Sequence, residues 1–327
     1  MQRPHGGPMR PFEIHGHRGV PSLMPENTLE GFELAIALGA TALELDVTLS
    51  ADGVVIVSHE PIADPTMYRH RETDKPSGYG ALPPGHRARG VLGRSWSTLS
   101  VERIGLLDAG SSGWLGAGRD PFADTRRRVE GARVPTLGAV LRLARRLDAH
   151  ELRFEIEAKS IPTARAPSPD PVLLARSIGA VVRRHGLASR SRLRSFDWRV
   201  LVASRRLFPE LPTVALVRVD TATSGSSWMR FVPFRHGRWA AAVTSAARDT
   251  GAVAVAPADA VVDAEFMTAS ARAGLAVLPW TVNSADRVRE LMALGASGVT
   301  TDHPGMVRCL VASAAAAAPQ RSPGSSR

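Results

Sequence analysis

Apolar residues along this chain follow two rhythms that alternate. In ALELDVTL (42–49), Leu43, Leu45 and Val47 interleave with Glu44, Asp46 and Thr48, the period of two that a strand imposes. In TLEGFELAIALGA (28–40) the apolar positions recur three and four apart. That predicts a helix capped by Asn27 or Thr28 and stopped at Gly39. The exchange continues to the end, predicting strands near residues 14, 44, 154, 194, 215, 254, 278 and 299. Between them come helical patterns at 134–147, 171–186, 197–209, 240–251, 263–274 and 284–295, and a last helix begins near Pro304. VVIVSHE (54–60), reached through an Asp52-Gly53 turn, reads as an added hairpin partner. Eight strands alternating with helices predict an α/β chain folded as a (β/α)8 TIM-barrel. The competing arrangement is an open doubly wound sheet, but HGHRGVP after the first strand lacks the GxGxxG spacing of such a sheet's phosphate loop.

The chain's 327 residues exceed the roughly 250 typical of such barrels. The reading is a flexible N-terminal segment (1–11), a barrel domain (12–312) and a disordered tail (313–327). Within the barrel, residues 61–133 break the rhythm. Rich in Gly, Pro, Arg, Ser and Asp and carrying Trp96 and Trp114, they read as an insertion of little regular structure, such as a lid. One cysteine, Cys309, excludes an internal disulfide and argues against a cysteine zinc site; its apolar helical surroundings predict a packed, inert thiol. The formal charge is +10, and of 41 basic side chains only Lys75 and Lys159 are lysine. Arginine bias on solvated faces explains most of this, with steering of anionic substrates as the functional reading. No RNP-like, zinc-finger or helix-turn-helix pattern accompanies it, so sequence-specific nucleic-acid binding is not expected. No secretory apolar run and no stretch of about 18 apolar residues is present, so the expectation is a cytoplasmic protein without a transmembrane segment. The sequence leaves the oligomeric state open.

The carboxyl ends of barrel strands converge on one mouth. Here they would bring His17 and Arg18, Glu44 and Asp46, His59, Glu155, Glu157 and Lys159, Ser195, Trp280 and Asn283, Thr301 and Asp302. Glu44 and Asp46, two apart, point to one face, and Leu43, Leu45 and Val47 to the other, where helices would cover them. Inward carboxylates repel one another unless a cation lies between them, and oxygen-only donors suit a hard divalent ion, Mg2+ or Ca2+. His17 and His59 end neighbouring strands beside these acids. Two imidazoles there suit acid–base work on a phosphodiester, one activating the attacking oxygen and the other protonating the leaving alkoxide. Arg18 and Lys159 would hold the phosphate oxygens, and Gly19 would let the backbone turn beside the anion. His15, on the same face as His17, reads as core.

HRG (17–19), PENT (25–28), ELDV (44–47), His59, VPTL (134–137), Glu157-Ala158-Lys159, SFD (195–197), PWTVN (279–283) and TTDHP (300–304) together resemble the glycerophosphodiester phosphodiesterases. The motifs keep the family's order and span residues 13 to 312. The resemblance implies metal-dependent hydrolysis of a small-molecule glycerophosphodiester to sn-glycerol 3-phosphate and an alcohol. It makes Glu44, Asp46 and Glu157 the metal ligands, His17 and His59 the catalytic pair, and Arg18 and Lys159 the phosphate contacts. Glu26 and Asn27 would order the first loop, Glu26 reaching the pocket, and Trp280 would line it. Glu60 departs from the family, which usually has Asp after the second histidine, and the insertion also diverges. Two alternatives keep the barrel. One is a lysophospholipase D or sphingomyelinase D-like activity in which an internal hydroxyl attacks and leaves a cyclic phosphate. The other is a phosphodiester-binding barrel without turnover.

Overall fold

The two rhythms fold as strands and helices in alternation. The computed structural model describes residues 11–70, 90–111, 113, 119–163, 168–234 and 237–317. In chain order its elements are β1 (Glu13–Gly16), α1 (Leu29–Ala37), β2 (Ala42–Leu49), β3 (Val55–Val57), β4 (Arg69–His70), α2 (Val101–Ile104), β5 (Leu107–Asp108), α3 (Leu137–Arg146), β6 (Arg153–Ala158), α4 (Pro171–Arg184), β7 (Ser191–Ser195), α5 (Trp198–Leu207), β8 (Thr213–Val217), α6 (Trp239–Thr250), β9 (Ala254–Pro257), α7 (Ala264–Arg272), β10 (Ala276–Val277), α8 (Ala285–Leu294), β11 (Gly298–Thr301) and α9 (Pro304–Ala317).

Eight strands pair in parallel in the order β10-β9-β8-β7-β6-β2-β1-β11, and β3 lies antiparallel on β2. Backbone bonds close the remaining seam. Ser297 N donates to Val277 O (2.9 Å), Thr300 N to Pro279 O (2.8 Å) and Val282 N to Thr300 O (2.9 Å). The fold is therefore a (β/α)8 barrel, with the strands at all eight expected places. Helix starts are set locally: Thr28, Thr136, Asp170, Asp197 and Asp263 each accept a first-turn amide through the side chain. Helices α3 to α7 each carry arginine in the last turn, where the partial negative charge of the helix end favours it. Much of the chain's basic excess has this local cause.

Leu43, Leu45 and Val47 of β2 face outward and are fully buried against Phe32 and Ala35 of α1 and Leu137, Val140 and Leu141 of α3. Each such side chain contributes about 1.5–3 kcal/mol. The barrel's interior has two chemistries. Strands β8 and β9 and the residue that follows β10 contribute an apolar half of Val214, Leu216, Ala254, Ala256 and Leu278. Strands β1, β2, β6 and β7 bury His15, Glu44, Asp46, Glu155, Glu157 and Arg194. At the floor of the polar half, Glu13 accepts from His15 (2.9 Å) and Arg153 (2.8 Å), and Arg192 bridges Glu13 and Glu155. His15 is thus buried as expected, but as part of an ion network.

Three expectations change. The insertion has more order than its composition predicts. Among the described residues, Met67, Tyr68, Val91, Trp96, Leu99, Ile104 and Leu107 form a small core with Ile56 of β3, and β4 pairs with β5. Trp96 is buried, donates Nε1–H to Glu60 O (2.6 Å) and meets Tyr68 edge-on (5.2 Å). It serves as an anchor rather than a lid surface, because its indole gains both burial and a carbonyl partner there. Trp114 and residues 71–89 lie outside the described residues. Cys309 is exposed, because α9 turns Val307, Leu310 and Val311 toward the barrel and leaves Cys309 on the far side. Helix α9 also runs to Ala317, so residues 313–317, expected as tail, are helical. Alanine has the best helix propensity, which carries the helix past its packed part. Residues 1–10 and 318–327, where the rest of the expected N-terminal segment and tail fall, lie outside the described residues.

Candidate active site

Strand β2 lies beside β6 with Asp46 opposite Glu157. Their carboxylates meet that of Glu44, one oxygen from each lying within 4.8 Å of the others. All three side chains are buried. Two cations reach them. Lys159 Nζ lies 2.6 Å from Glu157 Oε1 and 3.1 Å from Asp46 Oδ1. Arg18 puts Nε 3.2 Å from Asp46 Oδ2, donates its backbone N–H to Glu44 Oε2 (3.1 Å) and sends Nη1 to both oxygens of Glu26 (3.1 and 3.2 Å). Counting Glu26, four carboxylates share two cations, and the excess charge falls on Glu44. Burial, then Asp46 and Glu157, push Glu44 up to about 7. Asp46 goes the other way. Burial opposes its charge, but Lys159, Arg18 and His59 and the Asn27 amide hold it well below the usual carboxylate range. Three buried oxygen donors carrying more negative charge than their neighbours balance fit a hard divalent cation.

The loop between β1 and α1 does more than cap a helix. Thr28 is the cap, accepting from Gly31 N (3.1 Å). Asn27 is not: at φ 56° it turns inward and donates Nδ2–H to Asp46 Oδ2 (3.0 Å). Gly19, at φ 94°, has no room for a Cβ, which would lie 2.8 Å from the Gly31 carbonyl carbon. Its positive φ makes the expected turn, and the absent Cβ also allows close approach to α1.

Both histidines are held at the same ring atom. His17 Nδ1–H donates to Asp302 Oδ1 (2.7 Å) and His59 Nδ1–H to Glu60 Oε1 (2.6 Å). An ionised carboxylate only accepts, so each ring keeps its proton on Nδ1 and has Nε2 available. Asp302 is fixed in turn by Asn283, which donates Nδ2–H to Oδ2 (2.6 Å) and accepts the Asp302 N–H at Oδ1 (2.9 Å). Burial and Arg18 disfavour a charged His17, but Asp302 and Glu44 outweigh them and raise its proton affinity above the ordinary value. Lys159 behaves alike, with Asp46 and Glu157 outweighing burial.

These groups enclose a cavity of about 110 Å³ lined by His17, Arg18, Glu44, His59, Glu157 and Lys159 on the polar side and by Phe196, Leu216 and Trp280 on the apolar side. Of the nine residues singled out from the sequence, seven line it. Asp46 lies behind, tied to Arg18, Lys159 and Asn27. Glu26 acts on the cavity through Arg18. Sequence reasoning placed Asp302 and Asn283 at strand ends but gave them no role, and it did not select Asn27 as a partner of Asp46. Phe196, Arg194 and Arg218 were missed as cavity walls; their position two residues apart around the end of β7, or just past β8, was the available signal. Larger grooves of 650 and 730 Å³ lie between outer helices, α6–α7 and α3–α4, and gather no such acids and histidines. Among the described residues one other group has ligand-like spacing, Glu13, His15 and Glu155, but Arg192 and Arg153 already neutralise it at the barrel floor.

Barrel, buried acids and paired histidines together define a hydrolase-type mouth for an anionic ester. Comparison with known proteins makes the class specific. Residues 17–306 match the profile of the Glycerophosphoryl diester phosphodiesterase family. A glycerophosphodiester phosphodiesterase of Bacillus subtilis (strain 168) is 26% identical over 292 residues, covering 88% of this chain and 82% of that protein. A crystal structure from Silicibacter pomeroyi DSS-3 that bears the family's name superposes with a TM-score of 0.75 at 28% identity, covering 94% of this chain and 95% of that one. An Oleispira antarctica phosphodiesterase in complex with the product sn-glycerol-3-phosphate shares the fold, with a TM-score of 0.66 at 19% identity over 92% of this chain and 96% of that one. The chain belongs to the glycerophosphoryl diester phosphodiesterase family, and so is a phosphoric diester hydrolase. No helix among the described residues is long and apolar enough to cross a membrane.

Proposed function

We propose that this mouth hydrolyses glycerophosphodiesters to sn-glycerol 3-phosphate and an alcohol, using His17 and His59 as the acid–base pair. The observation that carries the reading is the paired arrangement of the imidazoles. Each is pinned at Nδ1 by a carboxylate, Asp302 at 2.7 Å and Glu60 at 2.6 Å, and both rings line the cavity that holds the acids. Family membership supports the substrate class, and the product bound by the Oleispira relative supports the direction of cleavage.

In the reaction, a water oxygen forms a bond to phosphorus while the P–O bond to the alcohol breaks. One imidazole takes the water's proton at Nε2, and the other, entering the step as imidazolium, gives its Nε2 proton to the leaving oxygen. Arg18 and Lys159 lie where their charges oppose the negative charge that builds on the equatorial oxygens. Glu44, Asp46 and Glu157 would hold Mg2+ or Ca2+, which when bound draws negative charge from a phosphate oxygen. Asn27 fixes Asp46 in that set, and Glu26 keeps Arg18 turned to it. The cavity's apolar wall of Leu216 and Trp280 excludes water from one side of the ester. Glu60, one methylene longer than the acid usual in the family, still reaches the His59 ring, so its length does not break the pair.

The test is release of sn-glycerol 3-phosphate from glycerophosphocholine, followed by a coupled dehydrogenase assay with chelator and with added Mg2+ or Ca2+. His17→Ala and His59→Ala should each lose about 10²-fold or more in kcat. Unchanged rates in both variants, or tight diester binding without product at any metal concentration, would refute the reading. A cyclic phosphate among the products would point instead to attack by an internal hydroxyl.

A further inference from the structure

The site opens outward into a second compartment. Next to the 110 Å³ cavity lies one of about 220 Å³, and the two share His59, Glu157, Lys159, Phe196 and Arg218. The outer one has its own walls in Ile161, Thr221 and Trp228. A phosphodiester carries two substituents on one phosphorus, and the shared boundary contains a catalytic imidazole and a phosphate cation. A diester bound there must send one substituent each way. The inner compartment closes on Leu216, Trp280 and Thr300 and has the volume of fewer than about four liquid waters, room for a three-carbon substituent with the phosphate left at the shared boundary. The outer has room for roughly seven. The small constant part of the substrate fits within, and the variable alcohol fits outside.

The chemistry of the outer compartment selects among alcohols. Phe196 stands between Trp280 and Trp228, edge-on to each at 5.4 and 6.2 Å. Its ring face is covered by the Arg218 guanidinium, 5.7 Å from the centroid. Asp220 holds that guanidinium through Nε and Nη2, the latter bond 2.7 Å, which leaves Nη1 to donate. A quaternary ammonium would meet two cations in the compartment, Lys159 and the Arg218 guanidinium, the latter seated on the Phe196 face. An anionic head group would face Glu60 and Glu157 across the compartment. An uncharged polyol meets neither penalty: its oxygens can accept from Arg218 Nη1, and its carbon face can pack on Trp228.

On the hydrolase reading above, we infer that the compartment bounded by Arg218, Trp228 and Ile161 receives the leaving alcohol and favours an uncharged polyol, such as glycerol or a cyclitol, over choline or ethanolamine. The experiment compares kcat/KM for glycerophosphoglycerol, glycerophosphoinositol and glycerophosphocholine in the wild type, Arg218→Gln and Trp228→Ala, with melting temperature as a check on folding. The wild type should prefer the polyol diesters by about tenfold, the effect of one or two added hydrogen bonds. Each substitution should bring that ratio to within about twofold of unity, while in Trp228→Ala, at a residue that lines the outer compartment alone, inhibition by sn-glycerol 3-phosphate bound in the inner compartment stays as in the wild type. Equal kcat/KM across the wild-type series, equal losses for every diester in both variants, or weakened product inhibition in Trp228→Ala would overturn the assignment. Absence of turnover with every diester and metal would overturn the hydrolase reading itself, and this inference with it.

Discussion

Asp302→Asn isolates the carboxylate that holds His17 without altering size. The surroundings determine what the new amide does. Asn283 Oδ1 is committed to the Asp302 N–H (2.9 Å) and the Thr301 hydroxyl (3.2 Å), so its Nδ2 stays aimed at the side chain of residue 302. The amide oxygen must accept from that Nδ2, which turns the amide NH2 toward His17 Nδ1. His17 then has to offer a lone pair at Nδ1 and carry its proton on Nε2, the tautomer opposite to the one held now. The perturbation removes one charge-assisted hydrogen bond at a largely buried site, worth about 1.5–3 kcal/mol, which corresponds to a loss of about 10- to 150-fold in kcat/KM.

The sign of the pH effect follows from the same contacts. Asp302 and Glu44 raise the proton affinity of His17 against burial and Arg18, so removing Asp302 leaves the opposing influences with less to overcome. The inflection that His17 contributes to the kcat/KM profile should move to lower pH, whichever way His17 passes its proton. The assay is the full pH profile of kcat/KM with glycerophosphocholine, beside calorimetric titration of the divalent ion, which should be nearly unchanged because Asp302 is not among the three clustered acids. A variant within about threefold of wild type, with an unmoved profile, would refute the claim that a carboxylate at Nδ1 sets the tautomer.

Three further outcomes are expected. Glu157→Gln, which removes one of the three clustered charges, should weaken Mg2+ or Ca2+ binding at least tenfold by calorimetry while leaving the melting temperature of the metal-free chain within a few degrees. Gly179→Ala should cost about 1–3 kcal/mol in urea unfolding, because its Cβ would enter the Phe208 ring where α4 packs on α5. At the floor, burial works against Glu13, but His15 and Arg192 bring its carboxyl down to about 2 from 4.5. A depressed folded value stabilises fully above the unfolded one, so Glu13→Gln should cost on the order of 3 kcal/mol at neutral pH, with the gap shrinking by about half by pH 3.

What the sequence revealed and what it hid divide along a physical line. Strand and helix periods are properties of one segment, so Leu43, Leu45 and Val47 could be assigned to the helix-covered face and Glu44 and Asp46 to the interior before any fold was known. Strand ends in a barrel share one mouth, so residues as distant as His17, His59, Lys159 and Trp280 could be gathered by topology alone. Partners are another matter. Asn27 suits a helix cap by type, and only the positive φ that turns it inward makes it Asp46's donor. Composition marked the insertion as irregular because its small core, centred on Trp96, draws on separated residues and on Ile56 of the hairpin, with no period to betray it. Apolar neighbours in sequence placed Cys309 in the core, whereas the face of α9 is chosen by Val307 and Leu310. Periodicity tells which side of an element a residue takes. Which atom meets it there depends on the neighbouring strand or loop, and in this mouth that second fact separates four carboxylates of one chemical type into distinct environments. Glu44 is pushed toward protonation by burial and by its fellow acids, Asp46 is held ionised by Lys159 and Arg18, and Asp302 and Glu60 are each spent on holding an imidazole.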